Sequence, residues 1–471
     1  MANKRQDASS QSVAPDHSSS LPHIVSSPST SVAVPIAADE FARLLGSLLM
    51  GDAKSVAVAV SGGADSMALV LLARQWAQTS GCDLIAMTVD HGLRNESGAE
   101  AAQVERWLEH LDVRHVVLGV EGTKPASNVQ AWAREQRYTL LNNYCAAHEV
   151  DALLLAHHLD DQAETLILRL ARGSGVDGLS AMAQAVPPAF DGAPYLLRPL
   201  LDVPRDRLIA TLALKQQAWI EDPSNRDQKY ARSRVRQARK TLEGLGLTNE
   251  RLAQTAVKMR RAKAALDADV SKLAKASVDL SRDGYAWLKS APFSAAAEEI
   301  QLRLLGRLLR AIGGKAYAPR EGRLQALLDD ITHARTGGGR TLSGCRIVPV
   351  DGGAEYLVCR ETRGIEGQLP LLSEQPVLWD GRYRLTLNTG VNDGGVRVGR
   401  LGTDGLKAIR ETAMFERLQS LPRLVRGNLP ALWQEDEIIA VLASDQANTM
   451  AQWENLTVRR FNQQMNQGPQ R

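Results

Sequence analysis

The sequence predicts an α/β protein in three parts. The N-terminal part contains a parallel sheet covered by helices, the middle region is helical, and the small C-terminal part is β-rich. Three observations support this fold class. Short apolar strands alternate with helical patterns between residue 37 and about residue 215, as in parallel sheets that are buried on both faces. Leucines recur at helical spacing between residues 296 and 333, which indicates packed helices. A glycine-rich stretch, Thr336–Gly339, then opens a segment of short apolar strands.

The composition is that of an ordinary globular protein. Of its 471 residues, 44% are hydrophobic and 23% are charged, which excludes a wholly disordered chain and a disulfide-stapled mini-protein. No run approaches the roughly 18 uncharged apolar residues that a membrane helix needs, so we expect no membrane partner. The four cysteines form no C-x-x-C pair, which predicts a reducing, cytoplasmic setting.

Changes in composition divide the chain into four expected segments. Residues 1–36 are rich in serine and proline without helical or strand periodicity, and we expect them to be a disordered tail. Residues 37–220 should form the α/β domain, 221–335 a basic and mainly helical linker, and 336–471 a C-terminal α+β domain. The strands of the α/β domain are expected at Val56–Val60, Leu84–Val89, Val113–Val120 and Ala152–Ala156.

Helices are expected after each of these strands, and capping signals mark several of their starts. Ser97 and Glu100 form a capping box, and Asn128 and Asp202 are candidate caps further along the chain. In open parallel sheets, ligands bind beyond the carboxyl ends of the strands. The helices are expected to end near Gln78, His110, Ala147, Ala171 and Gln217.

A glycine-rich loop directly follows the first strand and opens the first helix. Its sequence is Ser61-Gly62-Gly63-Ala64-Asp65-Ser66. Glycines let the backbone approach a phosphate closely, and free N–H groups at a helix N-terminus face negative charge, so the loop predicts a phosphate site. Asp65 would repel phosphate and suits a Mg²⁺ ion instead. The loop has neither the lysine of a Walker motif nor the G-x-G-x-x-G spacing.

Three carboxylates lie at the start of the helix that follows the fourth strand. Asp160, Asp161 and Glu164 stand in its first turns, where the helix dipole stabilises negative charge. Spacings of three and four residues place Glu164 beside both aspartates. Such a cluster can hold an ammonium group or Mg²⁺, for which Asp160 joins Asp65 as a candidate ligand. The alternative is that the carboxylates only cap the helix.

Two histidines and an arginine are expected at the same edge of the sheet. His91 and His157 follow two of the strands, and each could bond a phosphate or move a proton or could be structural. Arg137 shares a helix face with Arg134. The sequence allows two readings: Arg137 contacts the site, or its helix face is exposed to solvent.

A basic segment follows the α/β domain. From Arg226 to Lys263 there are twelve lysines and arginines against three acids, in a chain whose net charge is only +3. This imbalance favours contact with a nucleic-acid backbone over a solvated helix face. A milder basic excess from Arg397 to Arg426 permits a further RNA contact in the C-terminal part. The candidate phosphate contacts of the first segment are Arg232, Arg234, Arg236, Arg239 and Lys240.

Several motifs, taken together and in order, resemble one enzyme family. The loop S-G-G-x-D-S resembles the PP-loop of the N-type ATP pyrophosphatases, which have an adenine nucleotide α-hydrolase-like fold. With this loop, further segments resemble the tRNA(Ile)-lysidine synthetase family, densely over residues 55–240 and more loosely to the C-terminus. Ser233 stands where that family usually has asparagine. The segments are Val89–Arg94, Asn128–Tyr138, Ala156–Thr165, Arg198–Leu200 and Glu221–Asn225.

The resemblance implies an enzyme that joins free L-lysine to C2 of the wobble cytidine of a tRNA(Ile) with a CAU anticodon. ATP and Mg²⁺ would be used, an adenylated cytidine would form, and AMP and diphosphate would be released. Decoding would change from AUG to AUA and tRNA identity from Met to Ile. The resemblance implies no obligate protein partner, and it places ATP on the loop and His91. The catalytic candidates are Asp65, Asp161, Glu164, His157 and Arg137, and the general base stays open.

Two alternatives remain open from the sequence. Another PP-loop activity, tRNA thiolation or the amidation of NAD or GMP synthesis, would use the same loop. Thiolating relatives commonly carry paired cysteines or a C-x-x-C site, and Cys82 and Cys145 have no such spacing. The second alternative is a nucleotide-regulated RNA-binding protein with an inactive loop, against which the intact loop and carboxylates argue.

Overall fold

The computed structural model describes most of the chain as two compact units, residues 1–260 and 261–471. Each unit is described by itself below. The helix α10 (Asn249–Ser277) runs across the division. The described residues are 24–25, 33–92, 97–120, 125, 127–190, 192–221, 231–315, 317–333, 337–372, 376–387, 395–443 and 451–455.

The first unit alternates strands and helices as the sequence predicts, so the predicted α/β fold class is confirmed here. Its strands are β1 Ile24–Val25, β2 Ser55–Ala59, β3 Asp83–Asp90, β4 Arg114–Gly119, β5 Ala152–Leu154, β6 Ala185–Val186, β7 Tyr195–Leu197 and β8 Trp219–Ile220. Its helices are α1 Ala38–Gly46, α2 Ala64–Ser80, α3 Ser97–His110, α4 Val129–Ala147, α5 Leu159–Leu170, α6 Val176–Leu179, α7 Arg205–Leu214, α8 Ala231–Gln237 and α9 Arg239–Gly244.

Six of these strands form one sheet in the order β4-β3-β2-β5-β7-β6. All its pairs are parallel except the antiparallel pair of β6 and β7. The chain leaves β2 towards β3 on one side and later returns to β5 on the other, so the strand order reverses at β2. Ligands of open α/β sheets bind at such a reversal, beyond the carboxyl ends of the strands. The loop after β2 and the segment after β5 are therefore neighbours.

Both faces of the sheet are buried, as the continuous apolar strands predict. Val56 and Val58 belong to the core on one face, together with Met67 of α2. Ala57, between them in sequence, belongs to the core on the other face with Leu141 of α4. This alternation follows from the two-residue period of a strand, and it holds α2 and α4 on opposite faces.

The expectation of a disordered tail through residue 36 is wrong for its described residues. Ile24–Val25 pairs antiparallel with Trp219–Ile220. Ile36 is buried, and its backbone N–H donates to Thr211 Oγ1 at 3.0 Å. Apolar burial and a satisfied backbone donor fix this part of the chain. The rest of the expected tail lies outside the described residues.

Two expected helix caps are also wrong. Asn128 precedes α4 as predicted, but its φ of +58° is left-handed and its side chain makes no capping hydrogen bond. Pro204, rather than Asp202, stands before α7. The carboxylate of Asp202 instead accepts a hydrogen bond from Gln184 Nε2 at 2.8 Å. For Asp202, a tertiary hydrogen bond therefore takes the place of local capping.

The second unit contains three antiparallel sheets and short helices. Its sheets have the orders β11-β12-β13-β10-β9, β14-β17-β18-β19 and β15-β16-β20. The strands are β9 Val278–Leu280, β10 Ala286–Lys289, β11 Arg340–Leu342, β12 Cys345–Val350, β13 Glu355–Arg360, β14 Leu369–Pro370, β15 Val377–Trp379, β16 Tyr383–Leu387, β17 Val396–Arg400, β18 Pro430–Gln434, β19 Glu437–Val441 and β20 Ala451–Asn455. The α-helices are α11 Ser290–Ser294, α12 Glu298–Ile312, α13 Glu321–Thr332, α14 Gly402–Ala408, α15 Ala413–Leu418 and α16 Arg423–Arg426.

The five-stranded sheet joins parts of the chain that the sequence suggests are separate. Strands β9 and β10 precede residue 335, whereas β11, β12 and β13 follow it. The buried leucines of α12 and α13 pack in one core with Cys345 and Ile347 of β12. An expected boundary between residues 335 and 336 would therefore cut through this sheet. Within the described residues, no helix is long and apolar enough to cross a membrane.

A buried ionic network stabilises the second unit. The carboxylate of Asp380 accepts hydrogen bonds from Arg360 Nε and Nη2 at 3.0 and 2.8 Å and from Arg382 Nε at 2.9 Å. All three side chains are almost fully buried. Loss of the carboxylate charge would leave two buried guanidinium groups without their counter-ion, which is costly in an apolar surrounding.

We therefore expect Asp380→Asn to lower the free energy of unfolding by about 3–5 kcal/mol, measured by denaturant titration. Asp404→Asn is the matched control, because Asp404 pairs with Lys407 on an exposed surface. An exposed pair of this kind contributes no more than about 1 kcal/mol. Equal losses in the two variants would contradict a stabilising role for the buried network.

Candidate active site

The polar residues at the strand reversal surround a cavity of about 340 Å³ in the first unit. One wall is the start of α2, with Gly63 and Asp65, and another is α5, with Asp160 and Glu164. The cavity thus brings together the predicted phosphate loop and the predicted carboxylate cluster. Further lining residues are Ala64, His158, Ile167, Arg205, Trp219, Ile220, Glu221, Val235, Arg236, Arg239, Leu242, Leu247 and Asn249.

Gly62 gives the loop its shape. Its φ is +80°, and a Cβ at this position would lie 2.8 Å from Val104 Cγ2 and 2.9 Å from Ile220 Cδ1. Its carbonyl accepts a hydrogen bond from the N–H of Ile220 at 2.9 Å. Only glycine meets both requirements without strain, so the loop depends on this residue.

The two serines of the loop bond to the loop itself. The Ser66 hydroxyl donates to the carbonyl of Gly63 at 2.9 Å and accepts from the N–H of Ser61 at 3.2 Å. These bonds hold the start of α2 with its first N–H groups towards the cavity, since Gly63 is the residue before the helix. Such an N-terminus is a ready-made anion site.

His158, which sequence reasoning missed, contacts two carboxylates through one ring nitrogen. Its Nε2 atom is 3.6 Å from Asp65 Oδ2 and 3.4 Å from Asp161 Oδ2, and the ring is buried. Burial alone would lower the pKa of His158, but the two aspartates outweigh it and raise the pKa. Burial alone would raise the pKa of Asp65, but His158 outweighs it and lowers the pKa. Through its contacts with both aspartates, His158 ties the phosphate loop to the start of α5.

Arg205 and Arg239 contact Asp65 and Asp160 at the cavity. The Nε atom of Arg205 donates to Asp65 Oδ1 at 3.0 Å, and its backbone N–H donates to Asp160 Oδ1 at 3.4 Å. Arg239 Nη1 donates to Asp160 Oδ2 at 3.2 Å, and its Nε donates to Glu243 at 2.8 Å. Asp65 and Asp160, the candidate metal ligands, are therefore joined through one arginine.

Glu164 and Asp161 hold a third arginine, Arg236. Its Nε donates to Glu164 Oε1 at 2.5 Å, and its Nη2 lies 3.8 Å from Asp161 Oδ1. Burial raises the pKa of Glu164, and the ion pair with Arg236 offsets this only in part. The predicted ammonium-binding pair therefore contacts a cationic group of the protein itself. The sequence could not reveal this contact, since Arg236 and Glu164 are 72 positions apart in the chain.

His157 is held neutral beside Arg198. The Nε atom of Arg198 donates to His157 Nδ1 at 3.2 Å, and Arg198 Nη1 donates to the carbonyl of Ala183 at 2.8 Å. Burial lowers the pKa of His157 to about 4, and the charge of Arg198 acts in the same direction. Because Nδ1 accepts a bond, the single ring proton of the neutral form resides on Nε2.

His91 and Arg137 lie together at the end of β3 and on α4. Burial lowers the pKa of His91, and the charge of Arg137 lowers it further. Both ring nitrogens of His91 are buried without a hydrogen-bond partner among the described residues. Neither of these two residues nor His157 is among those that line the cavity, so their predicted roles require a ligand that extends along the sheet edge.

The candidate tRNA contacts divide into two groups. Arg236 and Arg239 turn towards carboxylates of α5. Arg232, Arg234 and Lys240 are exposed on α8 and α9. The structure therefore places the basic segment next to the cavity, and contact with tRNA stays a prediction for all five residues.

Comparison with known proteins decides the family. The PP-loop domain model matches residues 35–240. A tRNA(Ile)-lysidine synthase of Ruegeria pomeroyi is 37% identical over 397 residues, 84% of this chain and 90% of the relative. The chain belongs to the tRNA(Ile)-lysidine synthase family. Another member, from Wolbachia pipientis wMel, is 36% identical over 82% of this chain and 88% of its own length. The member from Rhodopseudomonas palustris is 42% identical, over 60% and 81%.

Membership in the tRNA(Ile)-lysidine synthase family confirms the family resemblance of the motifs and the PP-loop fold class. The chain is accordingly an enzyme of the ligase type with an ATP-binding PP-loop domain. The roles of individual site residues rest on the geometry given above.

We expect Gly62→Ala to abolish measurable ATP binding and to lower the melting temperature. An L-residue at this φ costs roughly 1–2 kcal/mol, and the added methyl group would collide with Val104 and Ile220. Gly63→Ala is the matched control for folding, because its φ is −71° and the nearest atom to its Cβ is 3.7 Å away. The loop assignment fails if Gly62→Ala binds ATP as the wild type does.

The low pKa of His157 predicts a pH-dependent contribution to stability. Between pH 6.5 and about pH 4 the unfolded chain binds a proton at this position and the folded protein does not. Stability from this group is therefore complete above pH 6.5 and is lost as the pH falls towards 4. We expect the melting temperature of the wild type to fall relative to that of His157→Gln over this range. The same comparison with the exposed His110→Gln is the control, and a constant difference for His157→Gln would contradict the neutral imidazole.

Proposed function

We propose that this protein ligates free L-lysine to C2 of the wobble cytidine of tRNA(Ile) with a CAU anticodon. The observation that carries the proposal is one cavity lined by part of the phosphate loop and by Glu164, a buried carboxylate that shares the cation Arg236 with the neighbouring Asp161. Membership in the tRNA(Ile)-lysidine synthase family supports the same reaction. The modified tRNA would decode AUA instead of AUG and would carry isoleucine identity.

The first step is attack of the cytosine C2 oxygen on the α-phosphate of ATP. An oxygen–phosphorus bond forms, the bond to the β-phosphate breaks, and diphosphate leaves. The N–H groups at the start of α2 stabilise the phosphate charge. His157, neutral and with its proton on Nε2, can donate a hydrogen bond at this edge without adding a charge.

The second step is attack of the lysine ε-amine on C2, which expels AMP. Free lysine is mostly protonated near neutral pH because its side-chain pKa is about 10.4. Asp161 and Glu164 hold an ammonium group of lysine and orient the amine. The raised pKa of Glu164 brings that carboxyl closer to proton exchange at neutral pH.

Mg²⁺ would be held by Asp65 and Asp160. No group of three or more histidine, cysteine or acidic side chains among the described residues could hold a metal by itself. Mg²⁺ is usually bound by one or two carboxylates with substrate phosphates completing its shell, so these two residues fit an ion that arrives with ATP. When bound, the ion offsets phosphate charge. Arg205 contacts both carboxylates, Asp65 through its Nε atom and Asp160 through its backbone N–H.

Thiolation is the weaker alternative. All four cysteines are buried and free of disulfides. Burial raises the pKa of Cys145 to about 12 and that of Cys359 to about 11. A thiolate is the reactive form of cysteine, so these thiols are poor nucleophiles or sulfur carriers.

The tRNA would lie against the basic segment that follows the catalytic fold. Arg232, Arg234 and Lys240 are exposed there and suit phosphate contacts. The wobble base must leave the stack to reach C2, which costs least in a single-stranded anticodon loop. We place this activity in the cytoplasm, in keeping with the reduced cysteines.

The test is diphosphate release with ATP, Mg²⁺, L-lysine and either tRNA(Ile) with a CAU anticodon or elongator tRNA(Met). We expect release only with lysine and tRNA(Ile). A hydrogen bond to a charged group contributes about 1.5–3 kcal/mol, so Glu164→Gln should lower kcat/KM for lysine about 10- to 100-fold. Asp39→Asn is the control, because the carboxylate of Asp39 is exposed on α1.

Other outcomes separate the alternatives. Diphosphate release that does not need lysine would indicate that the same PP-loop serves a different nucleophile. No release with any tRNA, together with retained tRNA binding, would favour a nucleotide-regulated RNA-binding protein.

A further inference from the structure

A cation of the protein occupies the place that the proposed reaction assigns to lysine. Arg236 donates to both oxygens of Glu164, at 2.5 and 3.4 Å, and approaches Asp161 at 3.8 Å. The side chain of Glu164 is 7% exposed and that of Asp161 is 11% exposed, whereas Arg236 is 41% exposed. The acids are thus fixed and buried, and the arginine reaches them from the surface. An ammonium group of lysine and this guanidinium cannot both use the same carboxylate oxygens.

Arg236 belongs to an element whose other cations are exposed to solvent. Arg232 and Arg234 are exposed on the same short helix, α8. Arginine binds phosphate as well as it binds carboxylate, because its planar fork matches both groups. A polyanion that lies along α8 therefore competes with Glu164 for Arg236. Because Arg236 is already partly in water, its release needs little further opening of the protein.

The two carboxylates differ in how far they depend on Arg236. Asp161 also accepts a hydrogen bond from the backbone N–H of His158 at 3.2 Å and faces its imidazole. The carboxylate without other support is Glu164, whose pKa burial raises. Arg236 therefore satisfies the carboxylate that most needs a cation when no substrate is bound.

We infer that Arg236 is an internal competitor of lysine, which holds the carboxylates of Glu164 and Asp161 until tRNA phosphates draw it away. Lysine then binds tightly only in the tRNA complex. The inference rests on the proposed function, because it assumes that these two carboxylates bind lysine. The binding of lysine is thereby coupled to the binding of tRNA, and such coupling is reciprocal. Lysine must therefore strengthen tRNA binding by the same factor.

The test is equilibrium dialysis of radiolabelled L-lysine against the full-length protein without ATP, so that no turnover occurs. Couplings between sites are typically about 5- to 150-fold. We expect the wild type to bind lysine tighter by a factor in this range when tRNA(Ile) is added. Arg236→Gln should bind lysine tightly without tRNA and gain little when tRNA is added.

Two further variants keep the result interpretable. Arg43→Gln is the control, because Arg43 is exposed on α1 and pairs with Asp39 instead of Glu164. It should keep the low lysine affinity of the free wild type and the gain with tRNA. Arg236→Lys retains a cation and should bind lysine more weakly than Arg236→Gln. Melting temperatures establish that each variant is folded.

The inference is overturned if Arg236→Gln binds lysine no more tightly than the wild type without tRNA. It is equally overturned if tRNA leaves the lysine affinity of the wild type unchanged. When either result accompanies normal lysidine formation by the wild type, the proposed function stands and only the inference falls. When no variant binds lysine and no lysidine forms, both fall together.

Discussion

The pairing of opposite charges across the reversal of the sheet is the interaction on which the site depends. The carboxyl ends of β2 and β5 bring Asp65 and Asp161 to the Nε2 atom of one buried ring, His158. Carboxylates that share one site repel each other, and their common contact with His158, whose pKa they raise, offsets that repulsion. The phosphate loop and the start of α5 are therefore held in register by charge as well as by the hydrogen bonds of the sheet.

The same principle organises the rest of the cavity. Asp65, Asp160 and Glu164 each contact an arginine from a later segment of the chain, namely Arg205, Arg239 and Arg236. The proposed reaction brings ATP, a metal ion and a cationic amino acid to this site, so its charges change at every step. The arginines keep it nearly balanced before any of these ligands is present, so binding exchanges one ionic partner for another instead of creating an uncompensated charge.

Local sequence predicted the parts of the structure that depend on local chemistry. The loop from Ser61 to Ser66, the strands around it and the start of α5 follow from residue types that are adjacent in the chain. The contacts of Arg236 and Arg205 could not be predicted, since their partners are 72 and 140 residues away. Strands β9 and β10 were missed because three- and four-residue strands carry too few positions to show a period. His158 was missed because its sequence neighbours do not distinguish it from a structural histidine. Only the fold brings it into contact with Asp65 and Asp161.

The reach of Arg236 into the cavity also describes a ligand. A guanidinium on a flexible three-carbon chain meets Glu164 and Asp161 beside the phosphate loop. A small molecule that joins an amidine or guanidine head to a phosphate-like group would reproduce both halves of this arrangement. The protein's own side chain thus supplies the pharmacophore for a bisubstrate inhibitor, in which the spacing between the two charged ends decides selectivity among PP-loop enzymes.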